Sequence, residues 1–162
     1  MLTQGLRVSW IRISAHVHPT EVIDRVKQAL STVLGIDEEK LDEFLEESVL
    51  DGDYTNKIHA LTWTLNKPKD MEPFLSRLKE GLPGDQKRVL KDNFSSFYNP
   101  DNKTLFLRLH KQSAFEAAFN ISQYDDIFHV SIKFSSYTGG AANEANVLAF
   151  LLENGIIDAH DD

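Results

Sequence analysis

Residues 104–110 read Thr-Leu-Phe-Leu-Arg-Leu-His, and that alternation admits few structures. A strand repeats every second residue, so Leu105, Leu107 and Leu109 share one face, while Phe106, Arg108 and His110 share the other. The leucine face needs a core. The opposite face carries a ring, a guanidinium and an imidazole, and it meets either water or a ligand. Lys111 and Gln112 follow at the predicted strand end, before a small-residue turn. Two further stretches repeat the pattern. In 7–18, Ile11, Ile13, Ala15 and Val17 oppose Trp10, Arg12, Ser14, His16 and His18. In 127–135, Phe128, Val130, Ile132 and Phe134 oppose His129, Ser131 and Lys133. A fourth strand, 56–66, has apolar residues on both faces, as a central strand does. The set Ile58, Ala60, Thr62, Thr64 and the set Lys57, His59, Leu61, Trp63, Leu65 compete for its core side.

Helical periodicity fills the intervals. Pro19 opens a helix whose stripe is Val22, Ile23, Val26, Ala29, Leu30, Val33 and Leu34, with Gly35 as its stop. Asp37 caps a short acidic helix with Leu41, Phe44 and Leu45 inward, and 48–54 reads as a brief strand. Pro68 starts a helix with Met71, Phe74, Leu75, Leu78 and Leu82 inward, which tolerates Pro73 only in its first turn. A helix from Asp85 turns Val89, Leu90, Phe94 and Phe97 inward, and 99–102 is a dense turn cluster. Residues 117–121 read as a short strand, and 141–154 as a final helix with Ala145, Leu148, Leu151 and Leu152 inward. The order predicts an α+β fold: a single mixed, mostly antiparallel sheet with helices packed mainly on one face. Residues 1–157 form one expected domain, and 158–162 an acidic tail that frays.

Charge bears on the choice of partner. The chain has 162 residues and a net charge of −8, which argues at first against nucleic acid. Of its 25 acids and 17 Lys and Arg, nine acids and one lysine fall in residues 37–53, so that segment holds the whole net charge. A basic face elsewhere is therefore compatible with the composition. The chain has no cysteine, which excludes disulfides, thiolate chemistry and Cys-ligated zinc and fits an intracellular, cytoplasmic location. It has no apolar run near the ~20 residues that span a bilayer, and no charged-then-apolar leader at its N-terminus.

The non-core residues gather into one candidate face: Trp10, Arg12, His16, His18, Phe106, Arg108, His110, His129 and Lys133, with Lys57, His59 and Trp63 joining if 56–66 is so oriented. Bases stack on aromatic rings and cations meet phosphates on such sheets. The bland alternative is a polar outer face with no ligand. His16, His18, His110 and His129 raise a metal reading, yet no fixed ligand spacing such as HExxH accompanies them. Ser113 lacks elbow glycines, and Thr138-Gly139-Gly140 lacks the fuller phosphate-loop pattern. No catalytic residue, metal site or cofactor is expected.

The run LFLRLHKQSAF resembles the Leu-Arg-Leu-Asp-Lys-Gln-Ala-Ala run of a small archaeal family described as RNA-binding, exosome-subunit-like proteins. Val17-His18 followed by Thr20-Glu21 resembles that family's approach to its first helix. Gly52, Asn56 and Ile58 match its Gly-His-x-Gly-Asn-Pro-Ile segment, and the Asp125-Asp126 turn into IFHVSIKF its last strand. The likeness covers roughly residues 7–135. Asp53, Thr55 and Lys57 stand where the family has His, Gly and Pro, and His110 where it has Asp. The resemblance implies a fold similar to the ribosomal protein that contacts 5S rRNA. It also implies a non-catalytic RNA-binding or RNP-associated role in RNA processing or ribosome-related assembly. Lys111 is then expected on phosphate, Gln112 on a base or sugar, and Arg12, Arg108 and Lys133 on backbone charge, with Trp10, Phe106, His110 and Asn56 completing the RNA set. The alternative is a protein-interaction subunit that docks through its acidic 37–53 segment. Either role admits a protein partner in an RNP, and a dimer is compatible with the sequence.

Overall fold

The computed structural model describes residues 5–17, 22–51, 57–116, 118–122, 126–136 and 142–157. In chain order the elements are β1 (Leu6–Val17), α1 (Ile23–Leu34), α2 (Glu38–Glu43), β2 (Leu45–Asp51), β3 (Lys57–Leu65), α3 (Pro68–Gly81), α4 (Gly84–Asp92), α5 (Phe94–Phe97), β4 (Tyr98–Asn99), β5 (Thr104–His110), α6 (Lys111–Phe115), β6 (Ile127–Ser136) and α7 (Glu144–Glu153). The strands form one sheet in the order β2-β3-β1-β6-β5-β4, and every pairing is antiparallel. The α+β expectation holds.

The alternation decides which face the helices cover. Ile11, Ile13, Ala15 and Val17 of β1 are buried with Leu105, Leu107 and Leu109 of β5 and Phe128, Val130, Ile132 and Phe134 of β6. Against them pack Val26, Leu30, Val33 and Leu34 of α1, Phe74 and Leu78 of α3, and Val147 and Leu151 of α7. β3 resolves its ambiguity in favour of Leu61, Trp63 and Leu65, all buried. Trp63 therefore does not join the candidate face, because its indole fills the core beside the Ile13 it pairs with.

α1 ends as expected at Gly35, whose φ of +69° lies in the left-handed region and whose N–H bonds Ser31 O at 2.9 Å. Other boundaries differ. Leu45 opens β2 rather than closing a helix, and β2 begins three residues before the predicted brief strand. Pro73 lies inside α3, beyond its first turn, and burial of Met71, Phe74 and Leu78 carries the helix through the lost hydrogen bond. Val89 is 42% exposed instead of inward, because Leu90 takes α4's core position. In α7 the buried pair is Val147 and Leu151, while Ala145 is exposed. The residues after β5 wind into α6 instead of a turn. Of the predicted 117–121 strand, a single bridge from Leu109 to Ile121 is seen among the described residues. Thr138-Gly139-Gly140 and the 158–162 tail lie outside the described residues.

Candidate functional site

Cross-strand register converts the uncovered face into rows. Arg12 stands opposite Thr64 of β3 and Ser131 of β6, and Ser131 stands opposite Phe106 of β5. One row therefore reads Thr64, Arg12, Ser131, Phe106. The next reads Glu46, Thr62, Ser14, His129, Arg108 across five strands. Trp10 and Thr104 flank Lys133 in a third. Side chains directly opposed in such pairs sit about 5 Å apart at Cβ. Arg12, His16, Phe106, Arg108 and His129 are exposed, and Trp10, His110 and Lys133 are half-buried. Among the described residues, the apolar stripes of α1, α3 and α7 pack on the opposite, leucine face. Phe106, at 43%, is among the few large apolar side chains left open to solvent.

The face is cationic. Arg12 lies over the Trp10 ring, its guanidinium carbon 4.6 Å from the centroid, and its Nε donates to Thr64 Oγ1 at 3.4 Å. Lys133 Nζ donates to the Asn102 carbonyl. A β-bulge between Val8 and Trp10 brings Arg7 opposite Ser135, with Nε 3.0 Å from Ser135 Oγ, on the same side as Lys133. Strict alternation in β1 would have put Arg7 on the core side, so its membership is visible only from the register. Partial burial, then the charge of Arg108 and of His16, hold the His129 pKa below its ordinary value. The single carboxylate in these rows is Glu46, on β2 at the far edge from β5.

Lys111 is not on this face. Its side chain is 1% exposed, and Nζ donates to the His16 carbonyl at 2.9 Å and to Asp126 Oδ1 at 3.0 Å. Its backbone N–H also bonds the Asp126 carbonyl, at 3.1 Å. The expectation that Lys111 reaches phosphate is corrected. As the first residue of α6 its side chain turns back under the sheet end, where it ties β1 to the start of β6. His110 is the N-cap of α6: its Nδ1 accepts from the Ser113 N–H at 3.3 Å and lies 2.9 Å from Ser113 Oγ. An aspartate does this at other helix starts, and here the imidazole supplies the acceptor. Gln112, next on α6, is exposed at the sheet end.

β1 ends, β3 begins, β5 ends and β6 begins at one end of the sheet, since Val17 pairs with His59, Ser14 with His129 and His110 with Ile127. The described parts of the stretches that carry the family likeness, among them Val17, Ile58, His110 and Asp126, adjoin that end. Asn56 and His18 lie outside the described residues. His59 binds Glu47 at 2.6 Å through Nδ1, on the opposite face from the rows above. Among the described residues no group of three His, Asp or Glu is placed to hold a metal ion. No described helix is long and apolar enough to cross a membrane.

Comparison with known proteins gives a consistent result. A family model described as RNA binding matches residues 10–134. An RNA-binding protein of Pyrococcus abyssi is 24% identical over 127 residues, covering 78% of this chain and 82% of that protein. The solved DUF54 protein Mth689 of Methanothermobacter thermautotrophicus superposes with a TM-score of 0.72 at 24% identity, covering 93% of this chain and 98% of its own. AF2318, a DUF54 protein of Archaeglobus fulgidus, gives 0.70 at 25% identity, covering 91% and 99%.

Proposed function

Because the chain belongs to the family described as RNA binding, we propose that its uncovered sheet face holds single-stranded RNA without catalysing a reaction on it. The observation that carries this reading is the register: Trp10 and Phe106 stand in rows with Arg12, Arg108 and Lys133 on the face opposite the core. Rings take stacked bases and the cations between them take phosphates. Gln112 and His110 extend the face at the sheet end, and Asn56 belongs to the same proposal by family likeness. Lys111 positions His16 and α6 and makes no contact with RNA. The exosome-subunit-like resemblance and the likeness to the 5S rRNA-binding ribosomal protein fit a cytoplasmic role in RNA processing or ribosome-related assembly.

Titration of a mixed-sequence single-stranded RNA by fluorescence anisotropy tests the reading. Four cations, Arg7, Arg12, Arg108 and Lys133, give an expected slope of log affinity against log salt of about −3. Replacing Arg12 and Arg108 together by alanine should flatten it by about 1.4 and weaken binding on the order of tenfold at low salt. Absence of binding at about 50 mM salt, or an unchanged slope in the double variant, rejects the reading.

His129 adds a pH dependence. Its folded pKa is lowered, so below the unfolded value of about 6.5 the unfolded chain takes up a proton that the folded chain resists. Stability from this group is complete above that value and is lost as pH falls below it. RNA phosphate beside Arg108 and His16 favours the imidazolium, so binding takes up a proton and should tighten between pH 7.5 and 6. His129→Gln should remove part of that trend; a trend of equal size in the variant would assign it to another group.

A second reading has its own observation. β2 is the terminal strand of the sheet, and with α2 it displays Glu38, Glu39, Asp42, Glu43, Glu46 and Glu47, all exposed. An extended basic segment of a protein partner fits that edge. Loss of pulled-down partners on neutralising these acids supports it, and unchanged partners remove it.

A further inference from the structure

The outer edge of β5 opens into a groove of about 850 Å³ that extends beyond the sheet face to α4 and α5. β4 pairs with β5 only at Leu105 and Thr104, while the Asn120–Ser122 stretch closes the edge again at Arg108 and His110. Between these the groove runs from the face toward α4. Its apolar walls are Phe106, Val89 and Phe97, of which Phe106 and Val89 are 43% and 42% exposed. Arg108 also lines it, in the row with His129.

The polar groups of the walls are set by bonds they already make. Gln86 Oε1 accepts the Ile121 N–H at 2.9 Å, which leaves its amide NH2 as a donor. Asn120 Nδ2 donates to Ser113 Oγ at 2.9 Å, which leaves its carbonyl oxygen as an acceptor. A donor and an acceptor between apolar walls, beside an exposed ring and a guanidinium, complement a flat heterocycle with a phosphate attached. Phe106 and Arg108 line both the groove and the sheet face, so one strand of RNA reaches both.

We propose that this groove takes one unstacked nucleobase of the bound RNA, stacked on Phe106, with its polar edge toward Gln86 and Asn120 and its phosphate on Arg108. This rests on the RNA reading above and adds to it a place where a base edge is read. Base-edge contact to splayed nucleotides is how single-stranded RNA is distinguished by sequence.

Val89 tests the groove without touching the sheet face. Val89→Trp fills the cavity at an exposed position, and Val89→Ala enlarges it. With a mixed-sequence single-stranded RNA carrying 2-aminopurine, the wild type should quench the fluorophore on binding. V89W should bind roughly tenfold more weakly with an unchanged salt slope, since a lost base contact releases no counterions. Phe106→Ala should behave likewise, Phe106→Trp should restore binding, and V89A should bind as the wild type does. The groove is rejected if V89W binds with wild-type affinity and quenching while the Arg12 and Arg108 double variant is impaired; the sheet-face reading then stands alone. It is also rejected if V89A is as weak as V89W, because both variants would then act through the fold. If the wild type binds no RNA, the function reading fails and the groove proposal with it.

Discussion

Lys111→Ala is expected to lower the midpoint of thermal unfolding by roughly 6–12 °C and to leave the salt slope of RNA binding unchanged. The ammonium is buried between the His16 carbonyl and Asp126. Truncation leaves that carbonyl and carboxylate without this donor and opens a space the size of the lysine stem. Asp126 is itself exposed, so the cost comes from emptying the space of the buried stem and from the carbonyl's lost charged donor, about 3 kcal/mol together, and in a chain of this length each kcal/mol shifts the midpoint by roughly 2–4 °C. Lys111→Met should recover a large part of the loss, because an apolar chain of similar volume fills the same space. A surface phosphate contact makes the opposite forecast: an unmoved midpoint and a slope flatter by about 0.7. Calorimetry and one salt series distinguish the two.

Trp63→Ala should cost about 4 kcal/mol, or roughly 8–16 °C. The side chain is fully buried. Trp63→Phe should cost far less than its loss of volume indicates, since among the described residues the buried indole Nε1 has no hydrogen-bond partner. Removing an unsatisfied donor returns part of the packing loss. The pair of variants also checks the register of β3. If Trp63→Ala barely moved the melt, Trp63 would lie on the uncovered side, and Thr62 and Thr64 would leave the candidate site.

What the sequence made legible follows the reach of its signals. β1, β5 and β6 alternate cleanly, so their core sides and the exposure of Arg12, Phe106, Arg108 and His129 were readable from a period of two. β3 was not, because Leu61, Trp63 and Leu65 face Ile58 and Ala60 across the same strand, and only helices placed on one side decide between them. β2 and β4 were displaced or absent because acidic or two-residue edge strands carry no hydrophobic period. Arg7 joined the face through a bulge, which no alternation announces. Lys111 was misplaced for a related reason. A lysine at a strand end reads as exposed, and its burial depends on a carbonyl 95 residues earlier in the chain. The groove was invisible for the same cause, since Val89, Phe106 and Asn120 meet only in three dimensions.

The strand order carries a consequence for how the protein is made. β1 emerges first, yet it sits in the middle of the sheet, and one of its two neighbours is β6. The 109 residues between Val17 and Ile127 must be synthesised before that second edge can be covered, which takes roughly 5–20 s at ordinary translation rates. During that time a strand with Ile11, Ile13 and Val17 on one side has an open edge, the condition under which nascent chains pair wrongly with one another. Arg7 and Arg12 on the same strand then have an early use as well as a late one, since like charges discourage two unfinished copies from joining edge to edge.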